Sequence, residues 1–444
     1  MRAKLILALS LLAISIGLKA TDNAHYYKSA NLHRNPSTAW FDDKHYYEIE
    51  DWLLKIDENI MYGDANSCWD KDGHSANVLN DTGAYNMLWS GQNVRLDPTL
   101  EAIAGHPQFI LRKLTELAAA NTDDNFATLR FDGKFEMWES NCQIRKNLKW
   151  GLFVEGRVPV RSLKIKNISY TDLSAATGPF SQQTVEWIQF KNNFNAILNE
   201  FGYENYNQAF SKSGLGDISV LLGWEDIFEY KDDDDNDVIS LWLTARLGFL
   251  MPTGERIKTD YIFSMPTGYN DHWALTGSLE LDIGVLPWLS IDLYGGFTWF
   301  FDDTTREARM KTFSAQNGHI FFEKGDAKED KGTLWYLGGN VKFDHFWEGL
   351  SAIVGYSYNR QEDTELSPSN TTLFPKDTVN TDSRLHSWYT HVLHFMLDYD
   401  ISLHMKKCSK WAPRINVFYD YPVDGKNSYK TDMIGAGLGI DVRW

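Results

Sequence analysis

Beyond residue 18 the 444-residue sequence has no long apolar run. Membrane-spanning helices need about 20 consecutive apolar residues and are therefore excluded. Cysteine is scarce: Cys68, Cys142 and Cys408 are the only three, and none forms a CxxC. That excludes a cysteine-built zinc or redox site and a disulfide scaffold. A Cys142–Cys408 bridge and unpaired thiols both stay open. HExxH and GxSxG are absent, and a nucleophile–base pair cannot be placed without geometry, so no enzyme is expected. Positive charge is outweighed, with 43 Lys and Arg against 60 Asp and Glu and a net charge of −17. Nucleic acid is thus a poor partner. The acidic run Lys231–Asp237 lacks the glycine turn of a calcium loop and reads as solvated charge. No metal and no cofactor is expected.

What is present points to export. Arg2 and Lys4 precede an apolar stretch from Leu5 to Leu18, and Leu18-Lys19-Ala20 is an acceptable cleavage site. Residues 1–20 are expected to be a signal peptide, 21–47 a periplasmic segment, and 48–444 the structured body. Removing Arg2, Lys4 and Lys19 takes the net charge to −20. Aromatics are abundant, with 17 Trp, 21 Tyr and 25 Phe. Trp and Tyr favour membrane interfaces, where a ring meets both hydrocarbon and water.

Period-two patterning recurs along the chain. In 238–251, Ile239, Leu241, Leu243, Ala245, Leu247 and Phe249 oppose Ser240, Trp242, Thr244, Arg246 and Gly248. About twelve such strands are predicted: 48–62, 126–138, 147–166, 214–227, 238–251, 272–285, 288–301, 333–345, 349–361, 385–403, 412–421 and 431–444. The first is the least secure, because Glu58 falls on its apolar face; Ala84–Leu96 is the alternative. Links after even-numbered strands are short, including Glu139–Lys146 and Leu286-Pro287. Links after odd-numbered strands are mostly long, above all 63–125 and 167–213. This alternation is the topology of an all-β, transmembrane, antiparallel up-and-down β-barrel with periplasmic turns and outer loops. The last strand, Ile434 to Trp444, alternates without interruption and stops on an aromatic residue. It resembles the assembly signal of bacterial outer-membrane β-barrels, with Trp444 in the terminal place. The resemblance implies an outer-membrane location, lipid as surroundings and the barrel-assembly machinery as a partner.

Two loops carry helical signals. Asp97 and Pro98 open one short helix, and Pro107–Ala120 reads as another. Thr184–Phe201 places Val185, Ile188, Phe194, Ile197, Leu198 and Phe201 on one stripe. That stripe must pack on the barrel mouth, enter the lumen as a plug, or bind a partner. Taking polar faces as inward gives a candidate lumen lining. Arg130, Lys134, Arg157, Arg161 and Arg246 form a basic wall, joined by Arg414 and Arg443. Glu280, Asp282, Asp292, Asp398 and Asp400 form an acidic wall. The two walls either set up a transverse field or pair off and fill the interior.

Gly214-Leu215-Gly216-Asp217-Ile218 opens one strand, and the next runs into Met251-Pro252-Thr253-Gly254. This pair of segments resembles the outer-membrane proteins grouped as phenol-degradation-pathway transporters, relatives of the long-chain fatty-acid type. It implies passive passage of small hydrophobic or aromatic solutes. The other expected roles are a charge-lined porin and a surface-binding barrel with an occluded lumen.

Overall fold

The computed structural model describes residues 53–121, 125–231, 237–286, 288–301, 304–404 and 411–442. The expected signal peptide, the 21–47 segment, most of the 231–237 acidic run, Cys408, Arg443 and Trp444 lie outside them.

Twelve antiparallel strands close into a barrel. In chain order they are β1 (Leu54–Ala65), β2 (Thr128–Asn147), β3 (Leu152–Asp172), β4 (Ile218–Lys231), β5 (Asp237–Met251) and β6 (Ala274–Leu286). Then come β7 (Leu289–Phe300), β8 (Leu334–Trp347), β9 (Leu350–Gln361), β10 (Trp388–Asp400), β11 (Trp411–Lys426) and β12 (Asp432–Val442). Each strand pairs with its sequence neighbours, and β1 pairs with β12 to close the ring. Closure leaves no strand edge in the hydrocarbon, where an unpaired N–H or C=O costs several kcal/mol.

Strand parity sets the outer wall. Leu222, Leu247, Phe249, Leu293, Leu337, Val354, Leu397 and Leu438 are exposed large apolar residues in mid-strand. Trp150, Trp288, Trp347 and Trp411 mark the end with the short turns, and Trp138, Trp273 and Trp299 the opposite end. An apolar belt between aromatic girdles is the surface of a lipid-embedded barrel. Glu58 does face outward from β1, and it accepts a hydrogen bond from Ser140 of β2. The strand itself is confirmed; Ala84–Leu96 contributes only the two-residue bridge Tyr85–Asn86.

Residues 139–146, expected to be a turn, instead continue β2 to Asn147. The turn is Leu148–Gly151, where Gly151 has φ 72° and a Cβ there would collide with the Glu225 carbonyl oxygen. With 20 and 21 residues, β2 and β3 reach about 65–70 Å at 3.3 Å per residue, roughly twice a membrane-spanning strand. Their upper halves stand beyond the hydrocarbon and carry the outer loops.

The helices lie in those loops. They are α1 (Pro107–Glu116), α2 (Val185–Asn192), α3 (Phe194–Glu200) and the short α4 (Lys376–Val379). Residues 97–104 form turns, not a helix. The expected helix 184–201 breaks at Asn193 into α2 and α3.

Candidate functional site: a plugged, charge-lined lumen

The outer mouth is filled by apolar side chains. Leu111 and Leu114 of α1, Trp187 and Phe190 of α2, and Ile197 and Leu198 of α3 are fully buried. They are continuous with Phe131, Phe135, Leu163, Ile165, Met61, Met396, Phe418 and Met433 on the inner barrel wall. Aromatic rings link loop to wall: Trp187–Phe190 at 5.4 Å, Phe190–Phe194 at 5.4 Å, Phe194–Tyr206 at 5.3 Å and Tyr206–Phe131 at 6.2 Å. Polar latches hold the helices down. Trp187 Nε1 donates to Asp172 Oδ2 at 2.8 Å, and Lys191 Nζ reaches the same oxygen at 2.6 Å. Gln108 of α1 donates to Glu200 of α3 at 2.8 Å. The helical stripe therefore packs into the mouth. Phe194, Ile197 and Leu198 are buried as expected, whereas Val185 is 62 % exposed, and Ile188 and Phe201 are intermediate. Trp187 and Phe190 take the burial in their place: seven and four residues before Phe194, they lie on its face at 3.6 residues per turn, and Val185 and Ile188 do not.

Below the plug the lining turns polar. Arg246 of β5 reaches Glu155 of β3 at 3.3 Å and Glu280 of β6 at 2.8 Å. Arg157 pairs with Glu155 at 2.6 Å, and Arg161 with Glu139 at 2.6 Å. Arg145 pairs with Glu225 and stacks 3.7 Å above the Phe153 ring. On the other wall Asp282 and Asp292 face one another across the β6–β7 ladder, and Asn340 donates to Asp292 at 3.0 Å. Asp398 and Asp400 line β10, and Arg414 pairs with Asp441 at 3.1 Å.

Arg157, Arg161, Arg246, Glu280, Asp282, Asp292, Asp398 and Asp400 occupy strand positions whose parity is opposite to that of the lipid-facing residues, and all but Arg157 are buried. Their sorting differs from two opposed walls. The arginines pair with carboxylates on their own side, and Glu280 belongs with Arg246. This is what burial demands, since an unpaired charge in a dry interior is prohibitive.

Arg130 and Lys134 are corrected: both point outward. Arg130 is exposed, and Lys134 pairs with Asp64 at 2.7 Å and Glu136 at 3.4 Å on the outer surface. Parity along β2 is kept apart from a bulge between Asp132 and Lys134, but polarity inverts near Trp138. Inside the membrane the outer face meets lipid and is apolar. Above it the outer face meets water, and the apolar face turns in to the plug. Glu139 and Arg145 were missed because their segment was read as a turn.

The Gly-Leu-Gly-Asp and Pro-Thr-Gly segments meet at the rim. Thr253 donates to the Gly216 carbonyl at 2.6 Å, and the Ile218 N–H donates to Thr253 at 3.0 Å. Asp217 accepts from the Gly254 N–H at 2.8 Å and from that of Tyr269, over Gly268, where a Cβ would strike its carboxylate. The motif is a backbone staple where the wall meets the loops. Cys68 and Cys142 are free thiols, and Cys142 sits in mid-β2 opposite Glu58, not in a turn. The outer loops are tied by a buried knot. Glu329 pairs with Arg306, with Lys331 at 3.1 Å and with His272 at 3.4 Å. Burial alone would raise the Glu329 carboxyl, but these cations outweigh it and hold it well below the usual range.

A closed barrel with a lipid belt, aromatic girdles and a plugged polar lumen defines a bacterial outer-membrane β-barrel. Among solved structures the chain is similar to an outer-membrane channel from Pseudomonas putida F1, at 10% identity over 90% of this chain and 98% of that one, TM-score 0.45. It is also similar to a FadL homologue of Pseudomonas aeruginosa, at 10% identity over 88% and 90%, TM-score 0.30. A third is the CymD monoaromatic hydrocarbon channel, at 6% identity over 89% of each, TM-score 0.30. No protein-family model and no curated protein matches the chain.

Proposed function

We propose that this barrel is a passive outer-membrane channel for small solutes, held closed at its outer mouth by α1–α3. The observation that carries this reading is the order of chemistries along the axis. An aromatic and aliphatic plug stands above a lumen of paired charges and amides, on a barrel of intermediate strand number. Eight-stranded barrels fill with side chains and sixteen-stranded ones hold an open channel. Buried ion pairs are costly to desolvate, and apolar packing in their place is often neutral or stabilising. Their retention beneath a loop-built plug suits a path that opens when the plug moves. An aromatic vestibule in series with polar walls favours small amphipathic solutes, such as an aromatic ring bearing one polar group.

The tight closure also favours a second reading, a surface-binding barrel whose outer loops are the working part. Solute-driven swelling of liposomes carrying the refolded protein separates the two. Swelling that rises when residues 181–201 are deleted supports the channel. No swelling in either form, with the barrel folded, supports the surface-binding reading.

A further inference from the structure

Three inward-facing residues on neighbouring strands form an arrangement that the channel reading does not use. Ser357 of β9 lies with its Oγ 2.7 Å from His394 Nε2, and His394 Nδ1 lies 2.8 Å from Asp420 Oδ1. His394 of β10 and Asp420 of β11 are directly opposite across their ladder. All three side chains are buried, Ser357 completely. A carboxylate can only accept, so Asp420 fixes the proton on Nδ1. That leaves Nε2 as the acceptor of the serine O–H.

One further donor adjoins the serine, and a second lies diagonally across the ladder from it. Asn359 Nδ2 is 3.2 Å from Ser357 Oγ. Thr390, paired with Asn359 across the ladder, is fully buried, and its hydroxyl has no hydrogen-bond partner among the described residues. An unpartnered buried hydroxyl is unfavourable, and a bound acceptor would satisfy it. Gly355 lies opposite His394 in the ladder, so β9 puts no side chain beside the ring there. The group stands level with the inner part of the apolar layer: Met433 is opposite Asp420, and Met396 and Phe418 lie two residues farther from the outer mouth on the same strands.

We propose that Ser357, His394 and Asp420 form a nucleophilic site acting on small carboxylic esters that enter the lumen. Ser357 Oγ attacks the ester carbonyl carbon as its proton passes to His394 Nε2, and Asp420 holds the imidazolium. The carbonyl oxygen gains charge beside the Asn359 amide and the Thr390 hydroxyl. The C–O bond to the alcohol then breaks, and His394 returns the proton to the leaving oxygen. Water attacks the acyl-serine by the same route, so ester and water give acid and alcohol. A polar ladder that only fills the interior would share the distances but not the reactivity.

The test is covalent labelling of the folded, detergent-solubilised barrel with diisopropyl fluorophosphate, mapped by mass spectrometry, together with hydrolysis of p-nitrophenyl acetate. Expected is a single modified residue, Ser357, with ester turnover lost in S357A while heat-shifted gel mobility is retained. H394A and D420N should slow labelling by about 10²–10⁴-fold. W187A, which loosens the plug, should speed it. Absence of labelling and turnover in both wild type and W187A would overturn the proposal, as would labelling that persists in H394A. Labelling reads the serine alone, and bilayer conductance reads the channel, so either can fail without the other.

Discussion

Trp187 Nε1 lies 2.8 Å from Asp172 Oδ2, tying the second loop helix to the outer tip of β3. Trp187 is also fully buried in the plug, so one residue supplies both apolar filling and polar latch. Truncating it to alanine should remove about 3–5 kcal/mol of packing from the plug while leaving the barrel wall intact. W187A is expected to keep its heat-shifted gel mobility and gain ion conductance. An unfolded W187A with normal plugging of a Phe190→Ala control would count against a plug that is separable from the barrel.

Arg246 bridges Glu155 and Glu280, and all three side chains are at least nine-tenths buried. Removing the guanidinium leaves Glu155 with Arg157 and takes from Glu280 its ion pair with Arg246 in a low-dielectric site. R246A should therefore lose about 3–5 kcal/mol in urea unfolding from detergent or bilayer. R246A combined with E280Q should recover part of that loss, because the buried carboxylate that lost its Arg246 pair is then neutral.

The outer-loop knot makes a statement about acid. Glu329 is held ionised by Arg306, Lys331 and His272, so its folded-state pKa lies well below that of the unfolded chain. Its stabilising contribution is therefore complete above the ordinary glutamate range, near pH 4.3, and is lost only as pH falls through the depressed value. Protease resistance of the outer loops should persist at pH 4 in the wild type. E329Q should lose that resistance at neutral pH and show no further step on acidification.

The register of β2 can be read from its thiol. Cys142 faces outward beside Glu58 in the lipid belt. Cys68 is buried under the outer loops, where burial pushes its thiol well up and makes it a poor nucleophile. A membrane-soluble maleimide should label Cys142, a charged one should label neither, and Cys68 should react only after unfolding. Labelling of Cys142 by the charged reagent in intact proteoliposomes would shift β2 by one residue and invert its faces.

The fold was legible because lipid imposes one sign on one parity. From Leu241 to Phe249 every outward residue is apolar, and a nine-residue reading suffices to orient the strand. The long–short rhythm of the links then gave strand number and direction. Where strands β2 and β3 leave the membrane the same parity carries the opposite sign, and Arg130 and Lys134 were misplaced for that reason. The plug was half legible: the stripe through Phe194 and Ile197 is local, but Phe190 and Trp187, one and two turns earlier on that face, were passed over for Val185 and Ile188. Least legible were cross-strand relationships. Arg246 meets Glu155 across 91 residues, and Ser357 meets His394 across 37, distances at which spacing says nothing without the ladder register.

Current through a planar lipid bilayer is the most direct measurement of the central claim that loop helices close a polar lumen. The refolded wild-type barrel should be silent or show only rare, small openings in simple salt. A variant lacking residues 181–201 should conduct steadily, with a preference for cations set by Asp282, Asp292, Asp398 and Asp400. Steady, large conductance in the wild type, unchanged by that deletion, would contradict it.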